Sequence, residues 1–113
     1  MVDGLILQLG DDMTINLSTM DLEGETGWEA VQGSDLNGQA RQLSAIKSGG
    51  TLIINGHGSF STVSGMNVTT LAKLLADNGL RGPVAIDLRA CNTGTFGAPF
   101  ALELKVALGW GPT

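Results

Sequence analysis

The segment Thr51-Leu52-Ile53-Ile54-Asn55-Gly56-His57-Gly58 joins a short apolar run to a glycine-rich loop that holds the only histidine of the chain. A run of this kind bounded by glycine is typical of a strand buried on both faces of a parallel sheet. The segment Val84-Ala85-Ile86-Asp87-Leu88-Arg89-Ala90-Cys91 has the same form and ends at the only cysteine. We therefore predict two central strands, each leading into a loop with one reactive side chain.

Helices are predicted on both sides of these strands, because apolar residues recur there at helical spacing. The first is predicted from Ser34 or Asp35 to about Lys47, and the last over 99–108. The middle helix is predicted to begin at Asn67 or Thr69 and to end near residue 79.

The N-terminal third offers weaker patterns. Residues 5–9 are apolar and residues 13–17 alternate apolar and polar side chains, with a turn signal at Gly10-Asp11-Asp12. We interpret them as a β-hairpin or two short strands, and the polar residues 19–34 as a loop. Asp11 and Asp12 lack the spacing of a cation-binding loop, so we interpret them as solvated acidic surface.

The alternation of strands and helices predicts a single α/β domain over 1–113 with a mainly parallel sheet. In such a sheet, right-handed crossovers bring the carboxyl ends of neighbouring strands to one edge, where ligands bind. His57 and Cys91 lie 34 positions apart with a helix between them. We therefore predict that they face each other across this edge.

The charge of the chain excludes some partners. The net charge is −5, and the six Lys and Arg residues form no basic run. We expect neither nucleic acid nor a membrane as a partner, because phosphate surfaces are bound by clustered cations. No apolar run reaches the ~20 residues of a membrane span, and the N-terminus does not resemble a signal peptide. We expect a cytoplasmic protein, or a domain of a longer exported effector.

The chemistry of a Cys/His pair points to a nucleophilic enzyme. A thiolate attacks, and an imidazole takes the thiol proton and later protonates the leaving amine. The backbone N–H groups of Gly58 and Cys91 are the candidate donors to the oxyanion. Taken singly, His57 between glycines is as often structural, and a lone cysteine is more often a buried apolar residue. The prediction therefore depends on the two acting together.

At these residues the sequence resembles the caspase-like (clan CD) cysteine peptidases. The shared pattern is a strand ending in His57-Gly58, a helix, and a strand ending in Ala90-Cys91. This group includes caspases, legumain, gingipains, separase, the self-cleaving domain of large bacterial toxins and the bacterial CHAT proteases. The run Ala90-Cys91-Asn92-Thr93-Gly94 is most similar to the CHAT form, and residues 55–108 resemble caspase-like domains of bacterial toxins.

The resemblance implies a three-layer αβα domain and peptide-bond hydrolysis without a metal or organic cofactor. His57 matches the catalytic histidine of the family, Cys91 its nucleophile and Gly58 its oxyanion donor. The implied partner is a peptide or protein substrate, which could be the parent chain of a toxin. Ser59, Asp87 and Arg89 are candidates for substrate binding, and an ion pair between Asp87 and Arg89 is an equal alternative.

The end of the sequence departs from the family. Its members continue with two further strands that build much of the substrate pocket, whereas this chain ends soon after the predicted helix that follows Cys91. We expect a truncated sheet with an exposed edge, through which two copies could form a homodimer. A non-catalytic interaction or dimerisation module is therefore the alternative function. A serine hydrolase is disfavoured because the sequence lacks the Gly-x-Ser-x-Gly elbow.

Overall fold

The computed structural model describes residues 1–36, 41–58, 63–91 and 97–110. Two short 3₁₀ turns, Gly33–Asp35 and Gln42–Ala45, lie between the second and third strands. The remaining elements, in chain order, are β1 (Val2–Leu9), α1 (Met13–Thr26), β2 (Ala30–Gln32), β3 (Ile46–His57), α2 (Val68–Asp77), β4 (Ala85–Cys91) and α3 (Gly97–Ala107).

The strands form one four-stranded sheet in the order β2-β1-β3-β4, and every pair in it is parallel. The prediction of an α/β fold with a parallel sheet is therefore confirmed. β1 and β3 are the central strands, and Leu5 to Leu9 of β1 pair with Leu52 to Gly56 of β3. The predicted central strand Thr51–Ile54 is the middle of a longer β3.

The helices cover both faces of the sheet. The larger core lies between the sheet and the helices α2 and α3, and alternate residues of β1 and β3 supply its strand side. The intervening residues Ile6 and Ile53 form a smaller core with Leu22 of α1. The larger core includes Leu5, Leu7, Leu9, Leu52, Ile54, Leu71, Leu75, Phe100 and Leu104. This arrangement is a small three-layer α/β domain.

The predicted N-terminal hairpin is wrong, because residues 13–26 form the helix α1. This helix carries apolar side chains on two opposite faces. Ile15 and Leu22 are buried against the sheet, whereas Met13, Leu17 and Met20 are exposed. Where the two rows interleave, at positions 13, 15 and 17, they produce the alternation that is typical of a strand. The predicted loop over 19–34 is replaced in part by the end of α1 and by β2.

The predicted helix from Ser34 or Asp35 to Lys47 is also wrong. Arg41 has a left-handed backbone conformation with φ 51°, which a right-handed α-helix cannot include. The buried residues Leu43 and Ile46 instead belong to a 3₁₀ turn and to the first position of β3. Their spacing of three residues fits a 3₁₀ turn as well as an α-helix. Residues 37–40 of this prediction lie outside the described residues.

The two later helices are confirmed. The side chain of Asn67 caps α2 by accepting a hydrogen bond from the N–H of Thr70 at 2.9 Å. Leu71 and Leu75 are fully buried, as their spacing predicts. Helix α3 begins at Gly97, two residues before the predicted start at Pro99.

Polar side chains fasten the first turns of α1 to the sheet. Gln8 of β1 donates from Nε2 to Oδ1 of Asn16 at 2.6 Å. Asn55 of β3, which is 1 % exposed, donates from Nδ2 to Oγ1 of Thr19 at 2.9 Å. Buried amides require partners of this kind, because leaving one unpaired costs free energy. These bonds hold the start of α1 beside the carboxyl ends of β1 and β3.

We expect Thr19→Val to lower the free energy of unfolding by about 1–3 kcal/mol, because the substitution leaves the buried Asn55 amide with only its longer bond, to the Ile15 carbonyl at 3.5 Å. Urea denaturation measures this difference. The matched control is Thr14→Val, the same chemical change at an exposed position of α1, which should shift stability by less than about 0.5 kcal/mol. Equal effects of the two substitutions would contradict the role given to this hydrogen bond.

Candidate functional site

His57 and Cys91 are the last residues of β3 and β4, and they are register partners in the parallel pairing of these strands. Neighbouring strands lie about 4.8 Å apart, so the two backbones are adjacent at this edge. The sequence patterns predict that the two strands are neighbours but do not predict their register. A shift of one residue would have put the two positions on opposite faces of the sheet.

The order in which the chain adds strands to the sheet reverses at β1. The chain passes from β1 through α1 to β2 on one side, whereas β3 and β4 lie on the other side of β1. In open α/β sheets, ligands bind in the crevice beyond the carboxyl ends of the strands at such a reversal. The segment after β1 and the end of β3 therefore border the expected binding crevice.

Asp12, in the segment after β1, contacts His57 across this crevice. Its Oδ2 bonds Nε2 of the imidazole, while its Oδ1 accepts from the N–H of Ile15 at 2.9 Å. The two side chains are about half exposed, at 50 % for Asp12 and 52 % for His57. Asp12 is the N-cap of α1. The interpretation of Asp12 as solvated acidic surface is therefore incomplete, because Asp12 is a direct partner of the imidazole.

The bonds to Asp12 stabilise its charged form. The N–H of Ile15, and then the hydrogen bond from His57, lower the pKa of the Asp12 carboxyl below its ordinary value near 3.8. An anionic acceptor at Nε2 favours the imidazole tautomer that carries its proton there. In that tautomer Nδ1 is the nitrogen able to accept a proton, and among the described residues it has no hydrogen-bond partner.

The position of Asp12 in the sequence, just after β1, is itself a signal for a site residue. A carboxylate that directly follows a parallel strand lies at the same edge as the residues after the other strands. The interpretation of residues 13–17 as a strand removed this signal, because it made Asp12 part of a hairpin turn. With α1 assigned correctly, Asp12 becomes both an N-cap and an edge residue.

The chain leaves β3 along a path held by backbone bonds. The N–H of Ser64 donates to the carbonyl of His57 at 2.6 Å, and Gly58 bridges Val63 in antiparallel fashion. Val63 is fully buried and anchors the returning segment in the core. A Cβ at Gly56 would lie 3.0 Å from the carbonyl oxygen of Leu9, so glycine favours the close packing of β3 on β1 at this position.

The other predicted site residues have different outcomes. Gly58 directly follows His57 at the edge, and its role as an oxyanion donor stays a prediction. Ser59 lies outside the described residues. Arg89 and Asp87 bind each other through two hydrogen bonds, Nε to Oδ1 at 2.9 Å and Nη2 to Oδ2 at 3.1 Å. The structure therefore contains the ion pair between Asp87 and Arg89 that was the alternative to substrate binding.

This ion pair lies next to the candidate site. Asp87, Arg89 and Cys91 occupy every second position of β4, so these positions lie on the same face of the sheet. Asp87 raises the pKa of the Arg89 guanidinium above its ordinary value, first through the hydrogen bond and then through its charge. A role for either residue in substrate binding stays a prediction.

Within the described ranges, no group of three or more His, Cys, Asp or Glu residues could hold a metal ion. None of the helices in the described part of the chain is long and apolar enough to cross a membrane. No family model, curated protein or solved structure matches the chain.

The Asp12 contact predicts a dependence of stability on pH. Because its pKa is lower in the folded than in the unfolded protein, Asp12 contributes stability that is present above pH 3.8 and is lost as the pH falls through the folded pKa. Asp12→Asn keeps a capping side chain but removes the charge. We expect this variant to be less stable than the parent at pH 5, with the difference shrinking toward zero on acidification.

Urea denaturation at a series of pH values from about 5 downward measures the difference between the two proteins. The control is Asp21→Asn, which removes an exposed carboxyl from the same helix. Asp21 has no bonded partner in the described part of the chain, so this variant should follow the parent at every pH. A gap between Asp12→Asn and the parent that stays constant at all pH values would contradict the assigned contact.

Proposed function

We propose that the protein is a cysteine peptidase of the caspase-like type, with Cys91 as nucleophile and His57 as general base. The observation that carries the proposal is the register pairing of these two residues at the carboxyl ends of adjacent parallel strands. The Asp12 contact to the imidazole adds to it, because a histidine held by a carboxylate is suited to proton transfer. The resemblance of the His-Gly and Ala-Cys segments supports the same reaction.

The proposed reaction uses side chains and water alone. Nδ1 of His57 takes the thiol proton, and the thiolate of Cys91 attacks the scissile carbonyl carbon. The N–H groups of Gly58 and Cys91 are the proposed donors to the resulting oxyanion. The tetrahedral intermediate then expels the amine, which takes the proton from the imidazolium and leaves a thioester on Cys91. Water, deprotonated by His57, hydrolyses the thioester to the acid and restores the thiol.

Asp12 acts in this proposal as a positioning residue. It fixes which imidazole nitrogen carries the resting proton, and its charge stabilises the imidazolium that forms when the thiol is deprotonated. Because Asp12 is itself held by the N–H of Ile15, the first turn of α1 fixes the orientation of the imidazole. The sheet and α1 together would therefore determine the geometry of proton transfer.

We expect a peptide probe with a thiol-reactive group to label the parent covalently and to leave Cys91→Ala unlabelled. His57→Ala should slow labelling at least about 100-fold, because a general base contributes roughly 10²–10⁴ to the rate. Asp12→Asn should slow it less, since the imidazole remains. Intact-protein mass spectrometry over time measures the extent of labelling, and far-ultraviolet circular dichroism shows whether each variant is folded.

Two results would count against the proposal. One is a folded parent that no probe labels faster than a small thiol reagent labels it. The other is labelling that persists at the same rate in folded His57→Ala. A matched control is Ser44→Ala, which changes a partly exposed hydroxyl of the turn before β3 that bonds the Arg41 carbonyl. This variant should react like the parent.

A binding module is the second candidate, and the end of the sheet favours it. Among the described strands, β4 pairs with β3 on one side and with no strand on the other. An unpaired strand edge can add a strand from a second copy. On this hypothesis we expect sedimentation velocity to show a concentration-dependent dimer, together with equal absence of probe labelling in the parent and in Cys91→Ala. A monomer at all concentrations up to about 100 μM would remove the support for this candidate.

A further inference from the structure

A cavity of about 220 Å³ opens beyond the carboxyl ends of β1 and β2, on the side of Asp12 away from Cys91. Its walls are formed by Gly10, Asp11, Gln32 and Ser34. The cavity thus lies on the same edge of the sheet as the candidate site, and the residue that follows Asp11 is the partner of His57. A substrate in the crevice would extend toward it.

The walls of this cavity are held in place by hydrogen bonds. The carbonyl of Gly10 accepts from Nε2 of Gln32 at 3.0 Å and from Nε2 of Gln8 at 2.8 Å. Gly10 has φ 118°, a backbone conformation that residues with side chains rarely adopt. The opposite end of the Gln32 amide accepts from the N–H of Gly33 at 3.2 Å. The hydrogen bond from Gln32 to Gly10 therefore joins the ends of β2 and β1 and fixes the backbone that borders the cavity.

Asp11 is the one charged residue among the four that line the cavity. Its backbone carbonyl accepts from Nδ2 of Asn16 at 3.0 Å, which fixes the backbone beside the cavity. Within the described part of the chain, its carboxylate has no hydrogen bond or ion pair. This differs from Asp12, whose carboxylate is used by Ile15 and His57. The remaining lining groups are neutral, so the cavity presents a single free negative charge.

We propose that this cavity binds the side chain of a lysine or arginine of the peptide substrate, with Asp11 as its counter-charge. The inference rests on the proposed peptidase function and names the substrate class of that site. Neutral amide and hydroxyl groups around one carboxylate suit a cation on a long apolar stem. An acidic substrate side chain would meet repulsion from Asp11 and no compensating cation on the walls.

The distances determine where the basic residue lies in the substrate. From β4 to a point between β1 and β2 is two and a half strand spacings, about 12 Å. Two residues of extended peptide cover roughly 7 Å of this. The stem of lysine or arginine has three or four carbons and covers the remainder. The basic residue is therefore one or two positions from the scissile bond.

The first test compares peptide probes that differ in one residue. Thiol-reactive peptides carry arginine, norleucine or glutamate at the first or second position before the reactive group. We expect the parent to react with the better arginine probe at least about 10-fold faster than with its norleucine analogue, and slowest with glutamate. Asp11→Asn should lose most of the arginine preference. Asp21→Asn, an exposed change on the same helix, should keep the preference.

The second test does not need catalysis. The folded Cys91→Ala protein is titrated with acetyl-Ala-Arg-Ala-amide, and the norleucine analogue serves as the control, with backbone amide NMR shifts as the readout. We expect saturable shifts at Gly10, Gln32 and Ser34 with the arginine peptide only. The shifts should disappear when Asp11→Asn is added to Cys91→Ala.

The two tests separate the two proposals. Probes that label the parent at Cys91 without an arginine preference, or arginine and norleucine peptides that shift the same amides equally, overturn the basic pocket while the peptidase stands. Absence of labelling by every probe, together with saturable arginine shifts that depend on Asp11, overturns the peptidase and keeps a basic-peptide site at this edge. Absence of both labelling and shifts overturns both.

Discussion

The parallel pairing of β3 with β1 on one side and with β4 on the other is the constraint from which the candidate site follows. Parallel pairing brings the carboxyl ends of all three strands to one edge, and the register brings His57 and Cys91 to adjacent positions there. Apolar side chains on both faces of β3 keep this strand in the centre of the sheet. A slip of β3 by one residue would move Leu52 and Ile54 from the larger core to the opposite face of the sheet. The two cores therefore enforce the register.

The position of α1 depends on polar contacts as well as on its apolar residues. Its side chains divide between a buried and an exposed row, and the smaller core holds only a few residues. Asn16 of α1 accepts a hydrogen bond from the side-chain amide of Gln8 in β1. Thr19 accepts one from the side-chain amide of Asn55 in β3. Polar pairs of this kind are directional, so they set the rotation of the helix as well as its distance. Asp12 reaches His57 because of that rotation.

The charges near this edge are arranged in three different ways. Asp12 is committed to the imidazole and to the first turn of α1. Asp87 and Arg89, four and two residues before Cys91, neutralise each other. The Asp11 carboxylate has no bonded partner in the described part of the chain. These adjacent acidic residues, Asp11 and Asp12, thus have separate environments, because Asp12 caps α1 and bonds His57 whereas Asp11 lines the cavity beside Gln32.

The amino-acid sequence was sufficient for the α/β class, for the central strands and for α2 and α3. In those segments the apolar period, the capping residue Asn67 and the bounding glycines all agree. It also placed His57 and Cys91 after neighbouring strands, since topology rules restrict how such strands connect. It failed for residues 13–26, where two apolar rows on opposite faces of one helix imitate a strand, and near Arg41, whose left-handed backbone interrupts a helical spacing. The register of β3 against β4, the contact of Asp12 with His57 and the cavity beside Asp11 came from the folded chain alone. Each depends on atoms that are distant in sequence, and their distances are set by the packing of both cores and not by any local propensity.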